Sequence, residues 1–240
     1  MSNCVDVIVL SEGQTEKKFI NTLLNPYFSG KNIFLHPAIL GKPDKKGGDV
    51  RFCRVKEDIE TFLKQRPDTY VTLMIDYYGI KNANEDDVKN ENYWPGLKKS
   101  KQQATHSLKA EVINIEISQK VQELFPEQNR GSRFIPYVSM YEIEALYFSD
   151  PVSLARVMDA ELSEIESILS RYPEPEAIND SSQTAPSKRL EKLSPKFGKT
   201  VTGITIAKEI GVSRMRERCP LFNKWISRIE NLSPLINSEP

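Results

Sequence analysis

Cysteine and histidine are scarce in this sequence of 240 residues, and their scarcity argues against several kinds of site. The three cysteines, Cys4, Cys53 and Cys219, lie far apart and form no CxxC pair. They therefore predict neither a disulfide framework nor a thiolate zinc site, and they favour a reducing, cytoplasmic setting. The two histidines, His36 and His106, are also too few to make a zinc centre a good prediction.

Long hydrophobic runs are missing as well. No apolar stretch approaches the roughly 20 residues that a membrane-spanning helix needs, and the first residues lack the basic and then apolar pattern of a signal peptide. There is no glycine period and no heptad array, while 39% of the residues are hydrophobic. The sequence thus predicts a globular protein without a membrane association and with a sizeable core.

Net charge is absent overall, because 33 basic side chains balance 33 acidic ones. The distribution is uneven, since residues 186–240 contain 11 basic and 5 acidic side chains, which leaves 22 and 28 for residues 1–185. Further basic residues concentrate between Lys42 and Lys56. Such clusters can contact phosphates, but a solvated surface also explains them, so charge alone does not indicate nucleic-acid binding.

The first part of the chain alternates apolar segments with amphipathic ones. Strands are predicted at 5–10, 33–39 and 69–75, where the residues are apolar and often β-branched. Two helices are predicted between them from apolar residues at helical spacing: Phe19, Ile20, Leu23 and Leu24 in the first, and Val55, Ile59, Phe62 and Leu63 in the second. This alternation predicts an α/β fold, a mostly parallel sheet flanked by helices.

Weaker patterns follow. Residues 81–101 are polar and predict a long excursion, a helix is predicted at about 105–125, and a strand is predicted at 134–138. Pro136 indicates an edge or a bend in that strand. We assign residues 1–150 to the α/β domain.

The remainder of the sequence is helical in pattern. Asp150 precedes Pro151, as a helix N-cap often does. We predict a helical C-terminal lobe, residues 151–240, that packs on the first domain, with residues 172–187 as the candidate linker. Residues 206–214 read like the start of a helix-turn-helix, but Pro220 would break the recognition helix, so a packed helix pair is the better interpretation.

Acidic residues fall just beyond predicted strands: Glu12, Asp76, Glu142 and Glu144. In an open α/β sheet, ligands bind outside the carboxyl ends of the strands. Carboxylate oxygens there suit a hard cation such as Mg²⁺ or Mn²⁺. Each acid also has a structural explanation, since Glu12 could stabilise a helix N-terminus and Asp76 could form an Asx turn.

Two motifs resemble those of the TOPRIM superfamily, whose fold occurs in topoisomerases, primases and OLD-type nucleases. Residues 11–16 (SEGQTE) lie between a strand and a helix, and residues 76–79 (DYYG) follow an apolar strand. Other segments are similar to a group of bacterial TOPRIM-like proteins, many of them associated with ATPases in anti-phage defence loci: residues 141–150, 187–190, 206–211 and 219–225. The resemblance spans nearly the whole chain and implies a TOPRIM/Rossmann-like fold.

The resemblance also implies a function, that of a divalent-metal-dependent nuclease. TOPRIM enzymes place a glutamate after the first strand and a DxD pair after a later one, and these residues bind the metal. By position, the implied catalytic residues are Glu12, Asp76 and Glu144, and the implied ligands of Mg²⁺ or Mn²⁺ are Glu12, Asp76, Glu142 and Glu144. The implied partners are an ABC- or AAA-type ATPase and a nucleic-acid substrate, and a homo-oligomer is compatible with the resemblance.

The sequence departs from the TOPRIM pattern at Tyr78, which stands where the second aspartate of the DxD pair belongs. A phenol, with a reference pKa of about 10, is a poor ligand for Mg²⁺ while it is protonated. Either Glu142 or Glu144 completes the site, or the metal site is weak or lost. In the second case the chain is a degenerate TOPRIM-like module that binds a partner protein or nucleic acid. Lys188 and Lys196 are the candidate electrostatic partners of a catalytic site.

Overall fold

The computed structural model describes residues 4–41, 50–81, 93–179 and 183–235. Residues 42–49 lie outside the described residues, as do residues 82–92 of the polar excursion at 81–101 and residues 180–182 of the candidate linker. The same holds for part of the basic concentration noted above: Lys42, Lys45 and Lys46.

The sheet is parallel throughout the described residues. Its strands are β1 (Val5–Ser11), β2 (Ile33–Ile39), β3 (Tyr70–Asp76), β4 (Phe134–Ile135) and β5 (Val138–Ser139). The order is β2-β1-β3-β4, with β5 also paired to β3. The two central strands, β1 and β3, are buried over almost their whole length because helices cover both faces. The predicted α/β fold with a mostly parallel sheet is confirmed.

The strand predicted at 134–138 divides into two. β4 and β5 are separated by Pro136 and Tyr137, and each strand has only two residues. Proline lacks the N–H that a ladder bond requires, so the pairing with β3 stops there and resumes at Val138.

Helices form most of the remaining described structure. A continuous helical segment after β1 consists of α1 (Gln14–Phe19), a π-helical stretch (Ile20–Leu24) and α2 (Asn25–Ser29). The other α-helices are α3 (Phe52–Gln65), α4 (Tyr77–Lys81), α5 (Leu97–Lys101), α6 (His106–Leu124), α7 (Pro151–Met158), α8 (Leu162–Arg171), α9 (Pro186–Leu193), α10 (Thr202–Arg218) and α11 (Pro220–Glu230). Short 3₁₀ helices span Ile143–Ser149 and Pro175–Ala177. A bilayer-spanning length of apolar residues occurs in none of the helices that the structure describes.

Two hydrophobic cores lie on opposite faces of the sheet, since side chains alternate along each strand. Val7 and Val9 of β1 face the core shared with α1 and the C-terminal helices, whereas Ile8 and Leu10 face the core shared with α3 and α6. Phe19 of α1 and Phe222 of α11 make an edge-to-face contact at 6.4 Å. The C-terminal helices therefore continue the core of β1 and α1. The division at residues 150 and 151 stays a prediction.

The segment that resembles a helix-turn-helix is packed inward. α10 is kinked at Gly211, whose φ of 76° favours glycine, and α11 begins immediately after Cys219. Ile206, Ala207 and Phe222 are fully buried in the core. These contacts agree with the interpretation as a packed helix pair.

Candidate carboxylate site

The strand order places the acidic residues at one edge of the sheet. Glu12 directly follows β1, and Asp76 is the last residue of β3. These strands are adjacent and parallel, with Ser11 opposite Met74. Both acids therefore emerge at the carboxyl ends of neighbouring strands, where α/β sheets bind ligands.

Asp76 also anchors the segment that carries the other two glutamates. Its Oδ1 accepts a hydrogen bond from the backbone N–H of Ile143 at 3.0 Å. Ser139 of β5 lies opposite Asp76 in the parallel register, so the chain that leaves β5 passes beside the end of β3. Glu142 and Glu144 are thereby brought toward the strand ends. We call Glu12, Asp76, Glu142, Glu144 and the nearby Lys199 the carboxylate site.

Glu142 is fixed by the start of α9. Its Oε2 accepts from the backbone N–H of Ser187 at 2.8 Å, and its Oε1 accepts from the Ser187 hydroxyl at 3.0 Å. Ser187 lies in the first turn of α9, where free N–H groups favour a carboxylate. Glu142 therefore connects the edge of the sheet at the carboxyl ends of the strands to the C-terminal helices.

Glu144 is the most buried acid of the site, with 1% of its side chain exposed. Lys199 Nζ lies 3.0 Å from its Oε1 and 3.9 Å from Oε1 of Glu142. Apart from this ion pair, neither oxygen of Glu144 has a hydrogen-bond partner among the described side chains and backbone. A buried carboxylate with spare acceptor capacity is costly unless a cation or a proton satisfies it.

Lys199 was not found by sequence reasoning, which selected Lys188 and Lys196. Lys188 pairs with Glu191 on its own helix, and Lys196 is exposed. Lys199 lies in the turn before α10, and its neighbours, Gly198 and Thr200, carry no signal that it faces an acid. Its position depends on the packing of the C-terminal lobe against the sheet.

Burial and neighbouring acids raise the pKa of Glu12 to about 7. Burial is the main cause, and the carboxylate of Glu16 adds to it. The ammonium of Lys199 acts in the opposite direction, while Glu144 and Glu142 raise the pKa further. Near neutral pH, Glu12 is thus able to exchange a proton.

Asp76 and Glu144 show the same effect. Burial, followed by the carboxylates of Glu144, Glu16 and Glu12, raises the pKa of Asp76 well above its usual value. Burial also raises the pKa of Glu144, against the opposing effect of Lys199. For Lys199, burial lowers the pKa, but Glu144 and Glu142 outweigh it and the net pKa is raised. Among the described residues, four carboxyl groups thus share one lysine, and burial together with their mutual repulsion favours the protonated form of some of them.

The glycine of the DYYG motif makes room for Glu12. A Cβ at Gly79 would lie 2.8 Å from Oε2 of Glu12, closer than real Cβ contacts allow, and 3.1 Å from Val50. The two motifs, 11–16 and 76–79, therefore touch through this pair. The carboxylate of Glu12 lies against the backbone of α4.

Tyr78 does not replace the missing aspartate as an anion. Its hydroxyl donates a hydrogen bond to Oδ1 of Asn179, and its ring packs on that of Tyr141 with centroids 5.6 Å apart. The side chain at this position therefore helps to pack Tyr141 and Asn179 against α4. A second carboxylate close to Asp76 is supplied by Glu144 from another part of the chain.

The donor set fits a hard cation in chemistry. All candidate ligands are carboxylate oxygens, as Mg²⁺ and Mn²⁺ prefer, and apart from the pairing with Lys199 the oxygens of Glu144 accept no hydrogen bond from the described residues. The ammonium of Lys199 occupies the position of a positive charge between Glu142 and Glu144. As they stand, no three His, Cys, Asp or Glu side chains of the described ranges are close enough together to hold a metal ion. Metal binding would thus require the carboxylates to draw closer.

Comparisons with known proteins give the following matches. The profile of a family described as "Domain of unknown function (DUF4276)" matches residues 11–230. A solved structure, described as the C-terminal region of the Burkholderia pseudomallei OLD protein, is similar over 94% of this chain and 96% of that chain, with 13% sequence identity and a TM-score of 0.44. No curated protein matches the sequence.

Proposed function

The chain belongs to the DUF4276 family, and we propose that this member is a divalent-metal-dependent nuclease that hydrolyses phosphodiester bonds with Mg²⁺ or Mn²⁺. One observation carries the proposal. Carboxyl groups from three remote stretches of the chain lie near enough to raise one another's pKa at the carboxyl ends of β1 and β3, and among the described residues Lys199 is the lysine that pairs with them. Structural ion pairs do not require such an excess of buried acid.

In this proposal, Glu12, Asp76, Glu142 and Glu144 would hold the ion. When bound, a divalent ion supplies Lewis-acid stabilisation of the charge that develops on a phosphoryl oxygen. Glu12, whose pKa burial and the neighbouring acids raise to about 7 without an ion, would release its proton when the ion binds, because a divalent cation favours the carboxylate form of its ligands. Asp76 accepts a hydrogen bond from the backbone N–H of Ile143, and Glu142 accepts one from the backbone N–H of Ser187. Both acids are therefore already positioned by hydrogen bonds.

Lys199 has a charge-balancing role in the proposal. Before an ion binds, its ammonium offsets the carboxylates of Glu144 and Glu142. With an ion bound, the ammonium would be released to face the anionic substrate. Because 42% of its side chain is exposed, it can leave the acids without crossing the core.

The wider setting of the proposal rests on the TOPRIM resemblance of the two motifs. It includes a nucleic-acid substrate, an ABC- or AAA-type ATPase as partner, and a role in bacterial defence against phage.

A second candidate function is a non-catalytic module that binds a partner protein or nucleic acid. The pairing of Lys199 with Glu144, together with Tyr78 in place of an aspartate, favours it. In that case the acids would form a lasting internal ion pair, and added metal would not compete with Lys199.

Metal binding separates the two candidates without requiring the partner. We would titrate Mn²⁺ into the full chain by calorimetry and compare Glu12→Gln, Asp76→Asn and Glu144→Gln with Glu166→Gln, an exposed acid of α8. The nuclease proposal expects saturable binding that each site variant weakens about tenfold or more and that the control retains. Absence of binding to the folded wild-type chain would support the non-catalytic module.

Cleavage is then measured on single- and double-stranded DNA and RNA with Mn²⁺, with and without the ATPase co-purified from the same locus. We expect cleavage by the wild-type chain and by Glu166→Gln, and its loss in Glu12→Gln and Asp76→Asn. Binding of Mn²⁺ without cleavage of any substrate, even with the ATPase, would contradict the nuclease assignment.

A further inference from the structure

Tyr147 places a buried hydroxyl next to the carboxylate site. It lies on the 3₁₀ helix Ile143–Ser149, three residues after Glu144. Side chains three positions apart eclipse each other on a 3₁₀ helix, so the phenol and the carboxylate project from the same side. Both residues are buried, Tyr147 at 0% and Glu144 at 1% exposed. The hydroxyl and the carboxylate are therefore enclosed together, away from solvent.

The ring of Tyr147 is held against the start of α10. A Cβ at Gly203 would lie 3.1 Å from the Cε2 atom of this ring and 3.3 Å from its hydroxyl oxygen, so the edge of the ring passes close to the α10 backbone. Lys199, the partner of Glu144, lies in the turn before the same helix. The phenol, the carboxylate and the ammonium thus lie at one junction between the 3₁₀ helix and α10.

The hydroxyl of Tyr147 has no hydrogen-bond partner among the described residues. Burial, followed by the carboxylates of Glu144, Glu16 and Asp76, raises the pKa of this phenol well above its usual value, so the hydroxyl keeps its proton. Native proteins rarely leave a buried donor unpaired. Glu144, on the same side of the 3₁₀ helix, has acceptor capacity that Lys199 does not fill. An unused donor and an unused acceptor therefore lie side by side.

We propose that Tyr147 is the positioning residue of Glu144, and that its hydroxyl binds the carboxylate when Lys199 leaves it. The inference rests on the proposed function, in which an ion takes the place of the Lys199 ammonium. Glu144 would then give one oxygen to the ion, and its other oxygen, still buried, would need a donor. Carboxylate ligands of metal ions are themselves hydrogen-bonded in this way. A hydroxyl can turn its proton toward the oxygen as the carboxylate shifts.

This role differs from that of a tyrosine that only fills space. While Lys199 pairs with Glu144, the hydroxyl makes no hydrogen bond, and its burial costs free energy. Phenylalanine would fill the same volume without that cost. Tyr147→Phe should therefore be harmless while Lys199 is in place and harmful once Lys199 is gone, whereas a space-filling side chain would respond in the same way in both states.

Thermal unfolding of the full chain without divalent ions tests the contact itself. Tyr147→Phe is made in the wild type and in Lys199→Met, and the melting temperatures are compared. We expect no fall in the wild type and a fall of about 2–4 °C in Lys199→Met, where the hydroxyl has become the partner of Glu144.

The matched control is Tyr137→Phe. It removes a second hydroxyl that is buried without a well-formed hydrogen bond in the described part of the chain, from a ring that stacks on Trp225. Its effect should be the same in both backgrounds. The proposal is overturned if Tyr147→Phe, like this control, changes the melting temperature equally with and without Lys199.

Calorimetric titration with Mn²⁺ tests the consequence for the ion. We expect Tyr147→Phe to weaken binding about tenfold or more although it is no less stable than the wild type, and Tyr137→Phe to bind as the wild type does. Equal affinity of the wild type and Tyr147→Phe would overturn the inference and leave the metal proposal standing. If the wild type binds no Mn²⁺, the metal proposal fails, and the comparison of melting temperatures decides by itself whether Tyr147 holds Glu144.

Discussion

Lys199 Nζ lies 3.0 Å from Oε1 of Glu144, a carboxylate with 1% of its side chain exposed. The two residues are far apart in sequence, and they join the turn before α10 to the 3₁₀ helix after β5. This contact balances charge in the carboxylate site. It is also the contact that a bound divalent ion would replace.

Replacing Lys199 by methionine should destabilise the fold by about 1–3 kcal/mol, because Glu144 loses its counter-charge while the apolar stem is kept. Added Mn²⁺ should then raise the melting temperature of Lys199→Met more than that of the wild type, since the ion no longer competes with an ammonium. Thermal unfolding with and without Mn²⁺ measures both effects.

The matched control is Lys196→Met, which changes an exposed lysine three residues away. Its stability and its response to Mn²⁺ should be those of the wild type. If Lys199→Met were as stable as this control, the Lys199–Glu144 pair would have no part in balancing the site.

Replacing Gly79 by alanine should displace the carboxylate of Glu12, since the new Cβ would lie 2.8 Å from its Oε2. We expect a loss of stability of about 1 kcal/mol or less, because the displaced oxygen ends a flexible side chain and alanine favours the helix, but a loss of Mn²⁺ affinity as large as that in Glu12→Gln. Calorimetric titration and thermal unfolding give the two values.

Gly30→Ala serves as the comparison, because a Cβ at Gly30 meets no atom within 4 Å and its φ is −66°. This variant should bind Mn²⁺ as the wild type does. Retention of full affinity in Gly79→Ala would show that the approach of Glu12 to α4 is unimportant for the ion.

Stability should depend on pH through Glu12. Its pKa is raised in the folded state from 4.5 to about 7, so the folded chain holds a proton that the unfolded chain releases over this range. The stability that this proton provides is complete below pH 4.5 and is lost as the pH rises to about 7. As the pH rises between these values, the free energy of unfolding of Glu12→Gln should therefore increase relative to that of the wild type, by on the order of 1–3 kcal/mol.

The measurement is the free energy of unfolding of both proteins in urea, from pH 4.5 to pH 8, without divalent ions. Comparing variant with wild type cancels other groups that titrate in the same range, including Glu176, whose pKa burial raises to about 7. A constant difference across the range would contradict the raised pKa of Glu12.

Glu176 should be essential for the start of α11. It is 1% exposed, and its carboxylate accepts from the backbone N–H groups of Leu221 at 2.8 Å and Phe222 at 2.9 Å. Glu176→Ala leaves both buried donors unpaired, so we expect a loss of about 2–4 kcal/mol in unfolding free energy. Glu166→Ala, on the exposed face of α8, should change it by less than about 0.5 kcal/mol.

The sequence predicted the strands and the longer helices well, because their apolar residues repeat at the spacing of a strand or a helix. The prediction for β2 agrees with the observed residues, and β1, β3 and α6 differ from prediction by at most one residue at each end. Short elements were missed: α4 and α5 have five residues each, too few for a periodic pattern. α9 was also missed, because Pro186 at its start looked like part of a linker.

The candidate site was predicted only in part. Glu12 and Asp76 could be selected because each directly follows a strand, and parallel neighbours bring such ends together. Which glutamate joins them depends on Asp76 binding the backbone of Ile143, a contact across 67 positions. Lys199 does contact Glu144 and Glu142, but whether the four acids hold a metal ion together stays a prediction.

The sequence by itself determined the strands, the longer helices and the positions of Glu12 and Asp76 at strand ends. These features depend on neighbours two to four residues away, and alternating apolar patterns record them directly. Three other features were decided by the tertiary structure alone. Lys199 pairs with Glu144, and the carboxylate of Glu12 packs against Gly79. In addition, α6 and α11 enclose a groove beside Trp225. Such contacts join remote parts of the chain, and their energies come from packing and desolvation that no local pattern contains.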